Sequence, residues 1–191
     1  EFSANHHNAS RNWLVIKLNT DDPKLFGLGD ASAMEDEDEV KSIISSWTDK
    51  YLTGKEPLES EVLWTNLYHD PHARGGRLAT TSLSGIDIAL WDLKGKILKQ
   101  PVWKLLGGSF REKIRVYANG WYTNPGSPEL NADEAKKVVD MGYTALKFDP
   151  FGQKNYYKIS LEELDIAEKR VESVRKSVGD NIDILIEAHA K

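Results

Sequence analysis

The sequence predicts an α+β first half followed by an α/β second half. Three observations support this. NWLVIKLNT alternates apolar and polar residues ahead of the turn residues Asp21-Asp22-Pro23-Lys24, as in a hairpin. Leu83, Ile86, Leu90, Leu93 and Ile97 recur at three- and four-residue spacing, which gives one buried helix face over about 78–98. After Gly108 strands and helices alternate as β–α–β–α–β, which requires parallel pairing with right-handed crossovers.

In chain order, residues 12–32 form the two hairpin strands, with LFGLGDAS as the return. The residues before Trp13 are irregular. The acidic run Glu35–Glu39 opens a helix, because carboxylates favour the positive end of the helix dipole. Helical turns follow at 60–68. Then come the loop HDPHARGG, the long helix, and a short helix VWKLLGG after Gln100-Pro101. In the second half, KIRVYANGW (113–121), TALKFDP (144–150) and IDILIEAHA (182–190) read as strands. Asn131 with Glu134 resembles a capping pair for the first intervening helix, and Ser160 with Glu163 forms a capping box for the second. Domains are expected at 1–108 and 109–191.

Composition excludes several functions. The 191 residues carry a net charge of −5 with no basic cluster, so nucleic acid is not an expected partner. No apolar run approaches the roughly 20 residues of a membrane span. The N-terminus shows no secretory pattern. The absence of cysteine removes thiolate nucleophiles, disulfides and Cys-based zinc sites, and it agrees with a cytoplasmic location. The His69-Asp70-Pro71-His72 string reads as a surface loop, since Pro71 breaks helical spacing and no third ligand is evident.

Three parallel strands leave open either a small open sheet or a barrel cut after its third strand, since closure takes eight strands and about 250 residues. In either case, Lys147 and Asp149 lie two apart at one strand end, and Glu187 and His189 lie two apart at the next. Each pair can therefore present both side chains on one face. Trp121, Tyr122, Tyr156 and Tyr157 flank the neighbouring loops, where they could contact a sugar or simply pack.

The run SGIDIALWDLKGKILKQPVWKLLGG (84–108), preceded by ARGGRLATT and followed by KFDP and IEAH, resembles the mandelate racemase/muconate-lactonizing enzymes of the enolase superfamily. Among them it is most similar to D-galactonate dehydratase–like members. GLGDAS resembles the family's cap hairpin, with Asp30 where Glu is commoner. The resemblance implies an α+β enolase-like capping domain, its first strand missing here because only irregular residues precede Trp13, followed by a TIM-type (β/α)7β barrel, truncated here after its third strand.

The resemblance also implies chemistry. Such enzymes remove the proton beside a carboxylate, and Mg2+ stabilises the resulting enediolate. Glu187 matches the first metal-ligand position. His189 matches the histidine acid that protonates a leaving hydroxyl, although the family's following Gly-Arg is Ala190-Lys191 here. Lys147 matches the first lysine of the family's K-x-K and is a catalytic candidate. Asp149 stands at the second lysine and is a substrate-binding candidate, or an ion-pair partner of Lys147. An aspartate there argues against a two-base racemase.

The expected function is that of a fragment of a Mg2+-dependent acid-sugar dehydratase, inactive alone. Its substrate would be a small sugar acid and its full-length form a homo-oligomer. A racemase, epimerase or cycloisomerase of the same family is the alternative, as is a non-catalytic fragment or open α/β binding domain.

Overall fold

The computed structural model describes residues 2–8, 11–33, 35–71, 75–152 and 158–189, with backbone only before Trp13. The chain divides into two compact units, residues 1–110 and 111–191.

The first unit holds a three-stranded antiparallel sheet in the order β1 (Phe2–Asn8), β2 (Arg11–Asn19), β3 (Phe26–Asp30). Contrary to the irregular N-terminus expected, residues 2–8 form a strand, with Ala4 level with Leu14 on β2. FSANHHN alternates only over Phe2-Ser3-Ala4-Asn5 before three polar residues, too short a signal to announce a strand; β2 supplies a free backbone edge that pairs with it. Four helices follow: α1 (Glu37–Trp47), α2 (Ser60–Tyr68), α3 (Gly76–Leu98) and α4 (Val102–Leu105), with a wide π turn at Thr48–Leu52 after α1. Leu14 and Ile16 are buried while Trp13 is exposed, the period-two pattern of a half-buried strand. They join Val40, Ile44, Trp47, Leu67, Ile86 and Leu90 in one core.

Helix α3 lies against β3 at glycines. A Cβ at Gly27 would run into the carbonyl oxygen of Ala89, and one at Gly29 into that of Gly85. A Cβ at Gly85 would in turn come within 2.6 Å of the Ala31 Cβ. GLGDAS and SGIDIALWD are thus two sides of one backbone-to-backbone contact.

In the second unit, β4 (Ala145–Phe148) and β5 (Asp183–Ile186) pair in parallel, with α5 (Pro128–Asp140) and α6 (Leu161–Val178) as the helices. Leu146, Phe148 and Val174 are completely buried and form a core with Ala135, Val138 and Ile182. Two expectations are corrected here. Residues 113–121 do not form a full strand: their pairing is a single bridge, Ala118 to Leu146, with hydrogen bonds from Ala118 N–H to the Ala145 carbonyl and from Lys147 N–H to the Ala118 carbonyl, both 2.9 Å. Ile114 and Val116 are 80 % and 62 % exposed, so no packing reinforces a longer ladder. Instead the Arg115 guanidinium ties this segment to the Thr144 carbonyl (2.8 Å) and to Asp183 (2.5 Å).

The second correction concerns Asn131. Helix α5 begins at Pro128, and Ser127 caps it by accepting from the Leu130 N–H (3.1 Å). Proline at the first helical position has no orphan N–H to satisfy, which makes Ser127-Pro128 the stronger start. Asn131 sits inside the helix, buried, and donates to the Thr123 carbonyl (3.2 Å), while Glu134 accepts from Thr123 Oγ1 (2.7 Å). Together they hold the preceding loop. The Ser160–Glu163 capping box forms as expected.

Two substitutions test these contacts. Gly29→Ala should lower the stability of the first unit by about 3 kcal/mol, read as a lower urea midpoint, because the rigid partner is backbone. Ser160→Ala should cost about 1 kcal/mol through lost capping, with the same native circular dichroism spectrum.

Candidate active site

The parallel register sets Lys147 level with Leu185 and Phe148 level with Ile186. The ladder runs on past β5, where the Glu187 N–H donates to the Phe148 carbonyl (2.9 Å). Because Leu146 and Phe148 point into the core beside the helices, Lys147, Asp149, Glu187 and His189 emerge together on the opposite face, at the C-terminal strand ends. The structure therefore brings all four sequence-predicted site residues together.

Their charges pair between strands. Lys147 Nζ lies 2.5 Å from Glu187 Oε2, and Asp149 Oδ2 lies 3.0 Å from His189 Nδ1. Each partner stands two residues beyond the level position, so the two pairs repeat one diagonal. The alternative Lys147–Asp149 pairing gives way to this arrangement.

The four groups differ in their surroundings. Glu187 accepts from Lys147 on one oxygen and from the His189 N–H on the other (2.9 Å). The Lys147 hydrogen bond, supported by that backbone donor, holds the Glu187 carboxyl down at about 2, and reciprocally raises Lys147 above the ordinary lysine range. His189 has φ 46°, a left-handed turn that brings its own N–H back toward Glu187. Asp149 is the buried member, with its side chain 2 % exposed against 54 % for His189. Its other oxygen accepts from the Phe151 N–H (2.8 Å).

Aromatic residues surround these strand ends. Trp121 and Tyr122 have their ring centres 5.5 and 5.8 Å from that of Phe148, and Trp121 Nε1 donates to the Lys147 carbonyl (3.0 Å). Both rings thus help to pack the strand. Tyr156 and Tyr157 lie outside the described residues. Sequence reasoning missed Tyr117, whose ring centre is 5.8 Å from Lys147 Nζ. The available signal was its phase: Ala118 faces the core, so Tyr117 shares the face of Lys147.

An ionised carboxylate suits a hard divalent cation. Among the described residues, however, no group of three or more His, Asp or Glu is placed to hold a metal ion. The described residues therefore do not make a complete metal site. In the first unit, Asp70 of the HDPH string is buried and bonds to Lys50 Nζ (2.7 Å) and the Tyr51 hydroxyl (2.6 Å), a structural role; His72 lies outside the described residues. Among the described residues no helix is long and apolar enough to cross a membrane.

Residues 3–107 match the mandelate racemase/muconate lactonizing enzyme N-terminal domain. The chain is 44 % identical over 145 residues to D-gluconate dehydratase of Thermoproteus tenax, covering 75 % of this chain and 29 % of that protein. It is also 44 % identical over 113 residues to D-gluconate/D-galactonate dehydratase of Picrophilus torridus, covering 59 % of this chain and 29 % of that protein. The crystal structure of a mandelate racemase/muconate lactonizing enzyme from Sulfitobacter sp. superposes with a TM-score of 0.87 at 28 % identity, over 99 % of this chain and 52 % of that one. The aligned part is less than a third of the curated relatives and about half of the solved chain. The chain belongs to the mandelate racemase/muconate lactonizing enzyme family.

Proposed function

We propose that this chain is the N-terminal part of a Mg2+-dependent acid-sugar dehydratase, acting on D-gluconate, D-galactonate or a close relative. One observation carries the reading. The position of the family's second lysine holds Asp149, and that carboxylate meets His189 at 3.0 Å. An anchored imidazole, suited to protonating a leaving group, thus stands on a face that carries a carboxylate where a racemase needs a second base. The names of the two curated relatives support the same reaction.

Lys147, charged and beside Glu187, orients the substrate's acidic end. Glu187, held ionised, serves as one carboxylate ligand of the magnesium ion, which when bound supplies positive charge next to the substrate carboxylate. Asp149 keeps His189 in place, and His189 delivers a proton to the departing β-hydroxyl. The α-proton is taken by a base on a later barrel strand. The alternation of strand and helix in 111–191 supports placing these residues at the start of a (β/α)7β barrel.

The polypeptide encoded by the complete reading frame should convert D-gluconate or D-galactonate, in the presence of Mg2+, into a 2-keto-3-deoxy acid. Racemised or solvent-exchanged substrate without keto product would overturn the reading. His189→Asn should lower kcat by about 10²-fold or more. In the present chain the Glu187 carboxyl carbon should titrate near 2 by NMR, and Lys147→Met should move that midpoint upward. Because the folded-state value is depressed, the pair's contribution to stability is present above the ordinary carboxylate range and is lost as pH falls toward 2.

A further inference from the structure

We propose that Asp149 is a positioning residue that fixes the tautomer of His189, holding the hydrogen on Nδ1 and leaving Nε2 as the atom that exchanges protons with substrate. Its placement and burial carry the inference. Asp149 Oδ2 lies 3.0 Å from Nδ1 of the imidazole, and the aspartate side chain is 2 % exposed. Its second oxygen accepts from the Phe151 N–H at 2.8 Å, which fixes the carboxylate plane from the opposite side. A carboxylate oxygen only accepts, so the nitrogen facing it carries the hydrogen. His189 is also held at its backbone, where its N–H donates to Glu187 Oε1 (2.9 Å). Both ends of the residue are therefore oriented, while half of its side chain stays exposed. Buried orienting partners of this kind are what keep a ring nitrogen aimed at its target.

The catalytic consequence rests on the dehydratase reading; the tautomer does not. In the acid step, the electron pair left at the α-carbon when its proton is removed forms the Cα–Cβ double bond. The Cβ–O bond breaks, its electrons leave with oxygen, and the proton on Nε2 joins that oxygen to give water. His189 is left as the neutral Nδ1–H form, the form that the Asp149 contact selects. The next cycle then needs a proton only at Nε2, with no rotation of the ring.

Nitrogen-15 NMR of histidine-labelled chain tests this at about pH 8, above the ordinary imidazole range. The His189→Asn variant identifies the signal. The expected result is the Nδ1–H tautomer in the parent chain, shifting toward Nε2–H in Asp149→Ala. A parent signal dominated by Nε2–H, or one unchanged in a folded Asp149→Ala chain, overturns the proposal. If that variant does not fold, the parent spectrum alone decides. Glu187→Gln should leave the tautomer as it is, since its contact is with the backbone of His189. In the complete enzyme Asp149→Ala should lower kcat about 10- to 100-fold with little change in KM. The Nδ1–H tautomer without dehydratase turnover would reject the functional reading and keep the role of Asp149. Turnover with the Nε2–H tautomer would reject the role of Asp149 alone.

Discussion

Burial of Leu146 and Phe148 beside the two helices sets the phase of everything at the strand ends. A strand's side chains alternate between two faces, so once these two point into the core, Lys147 and Asp149 have only the other face. A slip of one residue would drive a lysine into the core and expel a phenylalanine from it. The same logic, passed through the parallel register, places Glu187 and His189 opposite them. The chemistry of the site is thus a by-product of hydrophobic packing: the core selects the register, and the register selects which charges meet.

The first unit depends on closeness more than on volume. Gly27, Gly29 and Gly85 remove the side chains that would hold strand and helix apart, so α3 can cross β3 at backbone distance. That contact has no direct part in the chemistry. It explains why the segment that best marks the family lies in a helix remote in sequence from every candidate site residue. The marker is a packing requirement, and packing between backbones tolerates few substitutions.

Much of this was legible in the sequence, for physical reasons that differ from place to place. ALKF and its flanking residues announced a buried strand with a polar face, and Ser160-x-x-Glu163 announced a helix start, because both signals are local. The hidden features are those decided by partners. Residues 2–8 alternate over only four positions and become a strand because β2 offers an edge. Asn131 and Glu134 mimic a capping pair, but Ser127-Pro128 opens the helix first and leaves Asn131 free to bond the loop. The strand expected over 113–121 shrinks to one bridge because a propensity for extended backbone does not supply a covering layer. The diagonal pairing of the four site residues was invisible because relative register between two strands is a tertiary property. Tyr117 became recognisable only once Ala118 had fixed the phase of its segment.

The attachment of Arg115 has a consequence for how the second unit comes apart. The segment before Ala118 is held through a guanidinium whose partner Asp183 is itself more than half exposed, and the apolar residues on either side of it contribute little burial. Exposed ionic contacts are screened by dissolved salt, whereas the packing of Phe148 and Val174 is not. Ionic strength therefore acts on the Arg115–Asp183 contact and barely on the apolar core. In concentrated salt that contact weakens and leaves the stretch around Ile114 and Val116 to the Arg115–Thr144 hydrogen bonds, while the packing of Phe148 and Val174 persists.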